Sequence, residues 1–258
     1  MNLPVTGFQR YEAGSTPLHR LDARVKVVAA LLLIVGVLLT PERRWIAYPL
    51  MWTLIGSLAA VAQVSAWRLS RLAGLALPFT LAASTLLFTT PGNPLVIGIT
   101  DAGLARFAAI VLKSWLSMQA ALLFAMSTAF TDVLWALEQL GLPKPLVAIV
   151  GYMYRYLFTL REEAERLMRA RAARSGSVVS HNSPGGRLLW QAQVAGGMVG
   201  SLFLRSYERS DRVYNAMLAR GYTGHMQTMN PHVLRRIDYI VTTMAILFLL
   251  LLQLAGRV

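Results

Sequence analysis

Long runs of apolar residues occupy most of the first half of the chain and recur at its C-terminus. A helix that crosses the hydrocarbon layer of a membrane needs about 20 mostly apolar residues. Pro78 lies inside the third run and is expected to kink it, because proline cannot donate a helical hydrogen bond. The pattern predicts an all-α, polytopic membrane protein with about five transmembrane helices. The five runs are Val25–Thr40, Trp45–Trp67, Leu72–Thr90, Gly103–Phe130 and Tyr239–Gly256.

A different pattern begins at residue 132, where apolar positions recur every three or four residues. This spacing is typical of amphipathic helices that pack one face against a neighbour. The predicted helices are Asp132–Leu140, Pro145–Arg174 and Arg187–Arg220, separated by segments that contain glycine, serine or proline. We therefore predict a membrane domain of four spans at residues 1–131, a three-helix domain outside the lipid at 132–232, and a C-terminal transmembrane helix at 233–258.

Small residues form a row on the last of these helices. Ala192, Gly196 and Gly200 are four positions apart, a spacing that lets two helix backbones approach closely. We expect the two long helices to cross at this row. An alternative is that the uncharged segment Leu188–Leu204 spans the membrane. That alternative would place Arg205 and the arginines after it outside the cell, against the usual excess of positive charge on the cytoplasmic side.

The composition favours a membrane protein. Of the 258 residues, 55% are hydrophobic and 14% are charged, whereas an ordinary soluble domain carries about 25% charged residues. This composition excludes a disordered chain and disfavours a soluble enzyme. We interpret the net charge of +13 as a signal of membrane topology and expect no nucleic-acid partner. Between Arg155 and Arg220 there are 11 arginines and five acidic residues, so this region and the N-terminus are predicted to be cytoplasmic and the C-terminus external.

Residue types that carry catalytic or metal chemistry are scarce. The chain has no cysteine and no H-E-x-x-H or G-x-S-x-G motif. It also has no G-x-x-x-x-G-K-[ST] loop, which binds nucleotide phosphates, so if ATP drives this protein, another chain must bind it. These absences disfavour an intramembrane enzyme. Arg106 and Lys113 lie on one face of the fourth span, where they snorkel or pair with Asp101, or else line a polar seam. The dispersed histidines predict no metal site: His19, His181, His225 and His232.

The two long helices end in similar ways. The first ends with Ala173-Arg174-Ser175 and the second with Ala219-Arg220-Gly221. One interpretation is local, because glycine favours the end of a helix and arginine complements the helix dipole there. The other is functional, because a guanidinium pairs with a carboxylate through two parallel hydrogen bonds. The repetition favours two docking points for a soluble partner.

Further segments of the same region carry a family resemblance: Tyr154–Phe158, Glu162–Arg166, Ala173–Ser175, Arg205–Arg209 and Tyr214–Tyr222. Through them, residues 137–224 resemble the transmembrane coupling subunit of energy-coupling-factor transporters, most closely the CbiQ type that serves cobalt import. The resemblance implies that the three-helix domain is a cytoplasmic coupling domain in a multi-pass protein of the bacterial inner membrane. It also implies a non-catalytic subunit of an ATP-dependent transporter.

The resemblance implies partners as well. Two ATP-binding-cassette ATPase subunits would dock on the two arginine motifs and would bind ATP and magnesium. Cobalt would bind a separate membrane substrate-binding subunit, which leaves no catalytic, cofactor or metal site on this chain. The equivalent subunit of a nickel importer is the nearest alternative, and a stand-alone secondary transporter is a more distant one. Ser175 departs from the glycine usual in the family. The implied docking residues are Ala173, Arg174, Ser175, Ala219, Arg220 and Gly221.

Overall fold

The chain forms two compact units, one of residues 1–140 with 230–258 and the other of residues 141–229. The computed structural model describes residues 16, 18, 21–41, 44–85, 87, 90–91, 94–96, 99–174, 184–224, 238 and 243. These residues are helical except for turns and one small antiparallel pair of strands. The helix Phe130–Gln139, which the sequence pattern groups with the coupling domain, falls in the first unit.

The first unit is built around one long helix, against which shorter helices pack. The described elements are α1 (Ala23–Leu39), α2 (Ala47–Val61), α3 (Ala66–Ala73), α4 (Leu77–Thr80), β1 (Pro94–Val96), β2 (Ile99–Thr100), α5 (Asp101–Ser127) and α6 (Phe130–Gln139). The helices α1, α2 and α3 all contact α5, and α1 also contacts α6. The helices α1, α2, α3 and α5 each contribute one large, fully buried side chain to the core: Val37, Ile55, Leu69 and Leu116.

The second predicted span, Trp45–Trp67, is not a single helix, because α2 ends at Val61. Gln63 has a φ of 58°, in the left-handed region. The N–H groups of Gln63 and Val64 bond back to carbonyls in the last turn of α2, a pattern that terminates a helix. Val64 is buried in the core, and this burial offsets the strain at Gln63. No glycine marks this helix end in the sequence.

The third predicted span, Leu72–Thr90, is helical in its described part but irregular. After α3 the chain makes a 3₁₀ turn at Gly74–Ala76, the four-residue α4, and a second 3₁₀ segment at Leu81–Thr85. Pro78 lies in the first turn of α4. Because proline has no N–H to donate, a regular α-helix loses a hydrogen bond here and tighter turns replace it. The expected kinked span is therefore a series of short helical segments.

The capacity to cross a membrane is clearest in α5. Among the described helices, α5 is the only one that is both long and apolar enough, and its 27 residues confirm the helix predicted from the fourth run. The helix α2 is apolar but shorter. The last predicted span, Tyr239–Gly256, lies outside the described residues except for Thr243. The total of five spans and their sidedness stay predictions.

Two long helices, α7 (Lys144–Arg174) and α8 (Pro184–Ala219), make up the described part of the second unit apart from short turns. They confirm the helices predicted at Pro145–Arg174 and Arg187–Arg220. The 31 residues of α7 give it a length of about 46 Å, and the 36 residues of α8 about 54 Å, at a rise of about 1.5 Å per residue. The shorter α6 likewise confirms the helix predicted at Asp132–Leu140.

Candidate functional site

The C-terminal end of α8 is an ordered turn that presents Arg220. Gly221 has a φ of 80°. Its N–H donates to the carbonyl of Leu218, and the N–H of Tyr222 donates to the carbonyl of Met217, both at 3.0 Å. This pair of bonds is the Schellman motif, which reverses the chain and satisfies carbonyls at the helix end. Glycine suits the position because other residues are strained at such a φ. The local role predicted for Gly221, that of ending a helix, is confirmed.

The two predicted docking arginines are exposed. Arg220 follows α8, Arg174 is the last residue of α7, and the neighbouring Ala173 and Ala219 are also exposed. Within the described residues, neither arginine side chain has a hydrogen bond or ion pair. Each positive charge complements the dipole of its helix. Because each guanidinium is exposed, an external carboxylate can reach it. Ser175 lies outside the described residues.

The helices α7 and α8 run antiparallel and are joined by two charged contacts. Arg209 Nη2 donates to Glu163 Oε1 at 3.2 Å, and the two side chains are only 33% and 15% exposed. The guanidinium of Arg171 lies 5.6 Å from the centre of the Trp190 ring, a cation–π geometry. A partly buried ion pair is less screened by water than an exposed one. These contacts therefore hold the two helices together as a hairpin.

This hairpin places the two arginines at opposite ends. Arg174 follows closely after the contact with Trp190, near the start of α8. The N–H of Arg220 donates to the carbonyl of Met217, and Met217 lines the same groove as Pro145 at the start of α7. The length of α7 then separates Arg174 from Arg220 by roughly 40 Å. One small anion cannot contact both arginines across that distance.

A groove of about 530 Å³ lies between the start of α7 and the end of α8. Burial raises the pKa of the Tyr152 phenol above its ordinary value, and Tyr222 and Tyr156 act in the same direction, so the phenol is neutral at physiological pH. Tyr222 belongs to the Schellman turn, and its ring therefore connects that turn to the groove. The mainly apolar and aromatic lining includes Ile149, Tyr152, Tyr156, Val213, Tyr214 and Tyr222.

The row of small residues on α8 does not mediate the contact with α7. Ala192, Gly196 and Gly200 are exposed, and a Cβ atom on either glycine would meet no described atom within 4 Å. The predicted crossing at this row is therefore wrong. The helices meet instead through larger side chains, such as Glu163 and Arg209. The spacing indicated a surface that allows close approach, but not the neighbour that approaches it.

The remaining polar candidates have separate outcomes. The described part of the chain holds no group of three or more His, Cys, Asp or Glu side chains that could bind a metal ion, and the four histidines lie outside it. Of the alternatives stated for Lys113, pairing with Asp101 does not occur, because Lys113 Nζ donates to the backbone carbonyl of Leu38 at 3.1 Å. Because Leu38 is in the last turn of α1, this cation complements the dipole of α1.

Comparison with known proteins places the chain in a family. The sequence model of the family CbiQ, described as cobalt transport protein, matches residues 14–230. The energy-coupling factor transporter transmembrane protein EcfT of Heliobacterium modesticaldum is 31% identical over 90% of this chain and 91% of that protein. The EcfT of Listeria innocua is 29% identical over 83% of this chain and 84% of its own.

A protein named for cobalt itself is also similar. The cobalt transport protein CbiQ of Rhodobacter capsulatus is 28% identical over 134 residues, 52% of each chain. The family match extends across most of the described helices, including α7 and α8 with their exposed arginine ends. The chain therefore belongs to the CbiQ family of cobalt transport proteins, the transmembrane components of energy-coupling-factor transporters.

Proposed function

We propose that this chain couples ATP hydrolysis on two ATP-binding-cassette subunits to the import of cobalt. The ATPases dock at Arg174 and Arg220 and carry the ATP and magnesium. A separate membrane subunit binds the ion, so this chain acts as a mechanical link and not as a catalyst. Family membership supports the proposal, and the observation that carries it is the pair of exposed arginine ends held on one helix hairpin.

The geometry of the hairpin suits two partners that move relative to each other. Each guanidinium can pair with a carboxylate on one ATPase through two parallel hydrogen bonds. The separation of roughly 40 Å, which follows from the rise per residue of α7, supports the docking of one ATPase at each arginine. When nucleotide binding draws the two ATPases together, they push on the two helix ends. The contacts of Glu163 and Trp190 keep the hairpin from separating under that load.

The proposed function requires a defined topology. The N-terminus and residues 141–224 face the cytoplasm, where ATP is available, and the C-terminus faces outward. The chain then lies in the bacterial inner membrane with several crossings, of which α5 is one. A nickel importer would use the same coupling, because the ion is held by the other membrane subunit.

The docking model is tested with the double variant Arg174→Glu/Arg220→Glu, co-expressed with the two ATPases. We expect the variant to insert into the membrane but to lose the ATPases during purification, because both attractive contacts become repulsive. The matched control is Arg166→Glu/Arg205→Glu, which makes the same charge change once on each helix at exposed positions away from the ends. The control is expected to retain the ATPases.

Two results would count against the proposal. If the docking variant still co-purifies with the ATPases, the arginine ends are not the docking points. If the control loses the ATPases equally, the net charge of the hairpin matters and the ends do not. Uptake of Co²⁺ and Ni²⁺ into vesicles that contain the full complex then identifies the ion, and preferential Ni²⁺ uptake would replace cobalt with nickel.

A further inference from the structure

A cluster of charged side chains lies at the start of α1, in the first unit. Asp22 is 3% exposed, and its N–H donates to Asp238 Oδ1 at 3.2 Å, across 216 positions of sequence. Asp22 Oδ1 also accepts the N–H of Arg24 at 2.9 Å and so caps α1. Asp238 is likewise 3% exposed. The N-terminus of α1 is thus bonded to a residue of the C-terminal segment.

The same end of α1 holds α6. Lys26 Nζ donates to the carbonyl of Ser127, the last residue of α5 and close in sequence to the start of α6 at Phe130, at 3.2 Å. The carboxylate of Asp132 in α6 attracts Lys26, and those of Asp22 and Asp238 add to this attraction. The guanidinium of Arg24 lies 4.3 Å from the centre of the Trp135 ring, also in α6. We call Asp22, Arg24, Lys26, Asp132 and Asp238 the charged junction.

Burial of the charged junction has a desolvation penalty, so a gain in folding stability alone does not explain it. Asp22 Oδ2 and Arg24 Nε are buried and have no hydrogen-bond partner within the described residues. Each such atom carries a desolvation penalty, and buried ion pairs are often replaceable by apolar side chains without loss of stability. Hydrogen bonds, however, have a preferred distance and direction, so they restrict the relative position of the groups that they join. The arrangement is better explained by positioning than by stability.

The position of α6 matters because only residues 140–143 separate it from α7. We propose that the charged junction, with Lys26 at its centre, is a positioning site that fixes α6 to α1 and to the C-terminal segment. When the ATPases displace α7, α6 then moves together with α1, so the motion reaches the first unit and is not lost as a movement of α6 alone. This inference rests on the proposed coupling function. The residues that hold Lys26 in this site are Ser127, Asp132 and Asp238.

The variant Lys26→Met tests the charged junction in the full complex, reconstituted in liposomes with both ATPases and the substrate-binding subunit. The measured quantity is the number of ions imported per ATP hydrolysed, with Co²⁺ and Ni²⁺ as probes. We expect ATPase co-purification and ATP hydrolysis to stay near wild type while the ratio falls about tenfold or more, the effect expected from losing a charge-assisted hydrogen bond. Lys26→Arg, which keeps the charge, is expected to restore the ratio.

Two further variants supply a control and an alternative test of the charged junction. Lys113→Met is the matched control, because Lys113 also donates to a backbone carbonyl in this unit but does not contact α6. It is expected to leave the ratio unchanged. Asp238→Asn keeps an oxygen acceptor for the N–H of Asp22 and removes only the charge, so it is the variant to use if Lys26→Met does not fold. It is expected to lower the ratio in the same way.

The outcomes separate this inference from the function on which it rests. An unchanged ratio in both Lys26→Met and Asp238→Asn overturns the positioning role. So does a parallel fall in uptake and hydrolysis, which would show a purely structural role. If the wild-type chain binds no ATPase, or its complex imports neither ion, the proposed function fails first, and the inference fails with it.

Discussion

Replacement of Gly221 by alanine is the most direct test of how the end of α8 is held. The φ of 80° at Gly221 lies in the left-handed region, where a Cβ atom costs roughly 1–2 kcal/mol. An added Cβ would meet no described atom within 4 Å, so no clash adds to this cost. The expected destabilisation of the Schellman turn is therefore about 1–2 kcal/mol, and it arises from backbone conformation alone.

The effect should be local and is best measured by amide hydrogen exchange. A loss of about 1–2 kcal/mol raises the open population of the turn by roughly 5- to 30-fold. The N–H groups of Gly221 and Tyr222 close the turn at 3.0 Å, so their exchange is expected to accelerate by that factor. The exchange of amides near Glu163, far from the turn, is expected to stay the same.

A second glycine on the same helix supplies a control of opposite sign. Gly200 lies in the interior of α8, is exposed, and has free space around its Cβ position. Gly200→Ala is therefore expected to stabilise α8 by about 0.5–1 kcal/mol, because alanine loses less backbone entropy on folding. Two results would contradict a conformational role for Gly221: unchanged exchange of Tyr222 in Gly221→Ala, or a shift in the stability of α8 in the same direction in both variants.

Two further substitutions test contacts found in the structure. Gln63→Gly removes the left-handed strain at the end of α2 and loses no packing, since Gln63 is exposed. The free energy of unfolding, measured by chemical unfolding in detergent, is expected to rise by about 0.5–1 kcal/mol. Gln63→Ala keeps the strain and should give no such rise. Arg209→Met leaves the largely buried carboxylate of Glu163 without its partner and is expected to destabilise the hairpin by about 1–3 kcal/mol. Adding Glu163→Met should recover most of that loss in thermal unfolding, and additive losses would contradict the pairing.

The long helices were predictable because their signals are local. The spacing of apolar positions identifies α6, α7 and α8, and glycine or proline marks the places where they stop. The end of α2 was not predictable in this way. Gln63 is not a residue that signals a helix end, and it takes the left-handed conformation because Val64 is buried in the core. A tertiary contact, absent from any local pattern, decides that boundary.

In the candidate site, too, features with a local sequence signal were predictable and contacts between distant segments were not. Arg174 and Arg220 were identified from their repeated positions at helix ends, and the exposure of both fits that identification. The pairs that connect distant segments had no local signal, since Glu163 and Arg209 are 46 positions apart and Asp22 and Asp238 are 216 apart. The spacing of Gly196 and Gly200 led to a wrong prediction of the helix crossing, because spacing defines a surface that allows close approach but does not identify the element that contacts it.

The end of α8 combines a satisfied backbone with an unsatisfied side chain. The N–H groups of Gly221 and Tyr222 bond to carbonyls of the last helical turn, whereas the guanidinium of Arg220 has no polar contact in the described part of the chain. A partner that binds Arg220 therefore meets a preformed helix end and gains affinity, because little conformational entropy is lost on docking. A push on the same residue is transmitted along α8 to the ion pair with Glu163, because a hydrogen-bonded helix end does not unwind first. A flexible loop carrying the same arginine would bind but would not transmit the push.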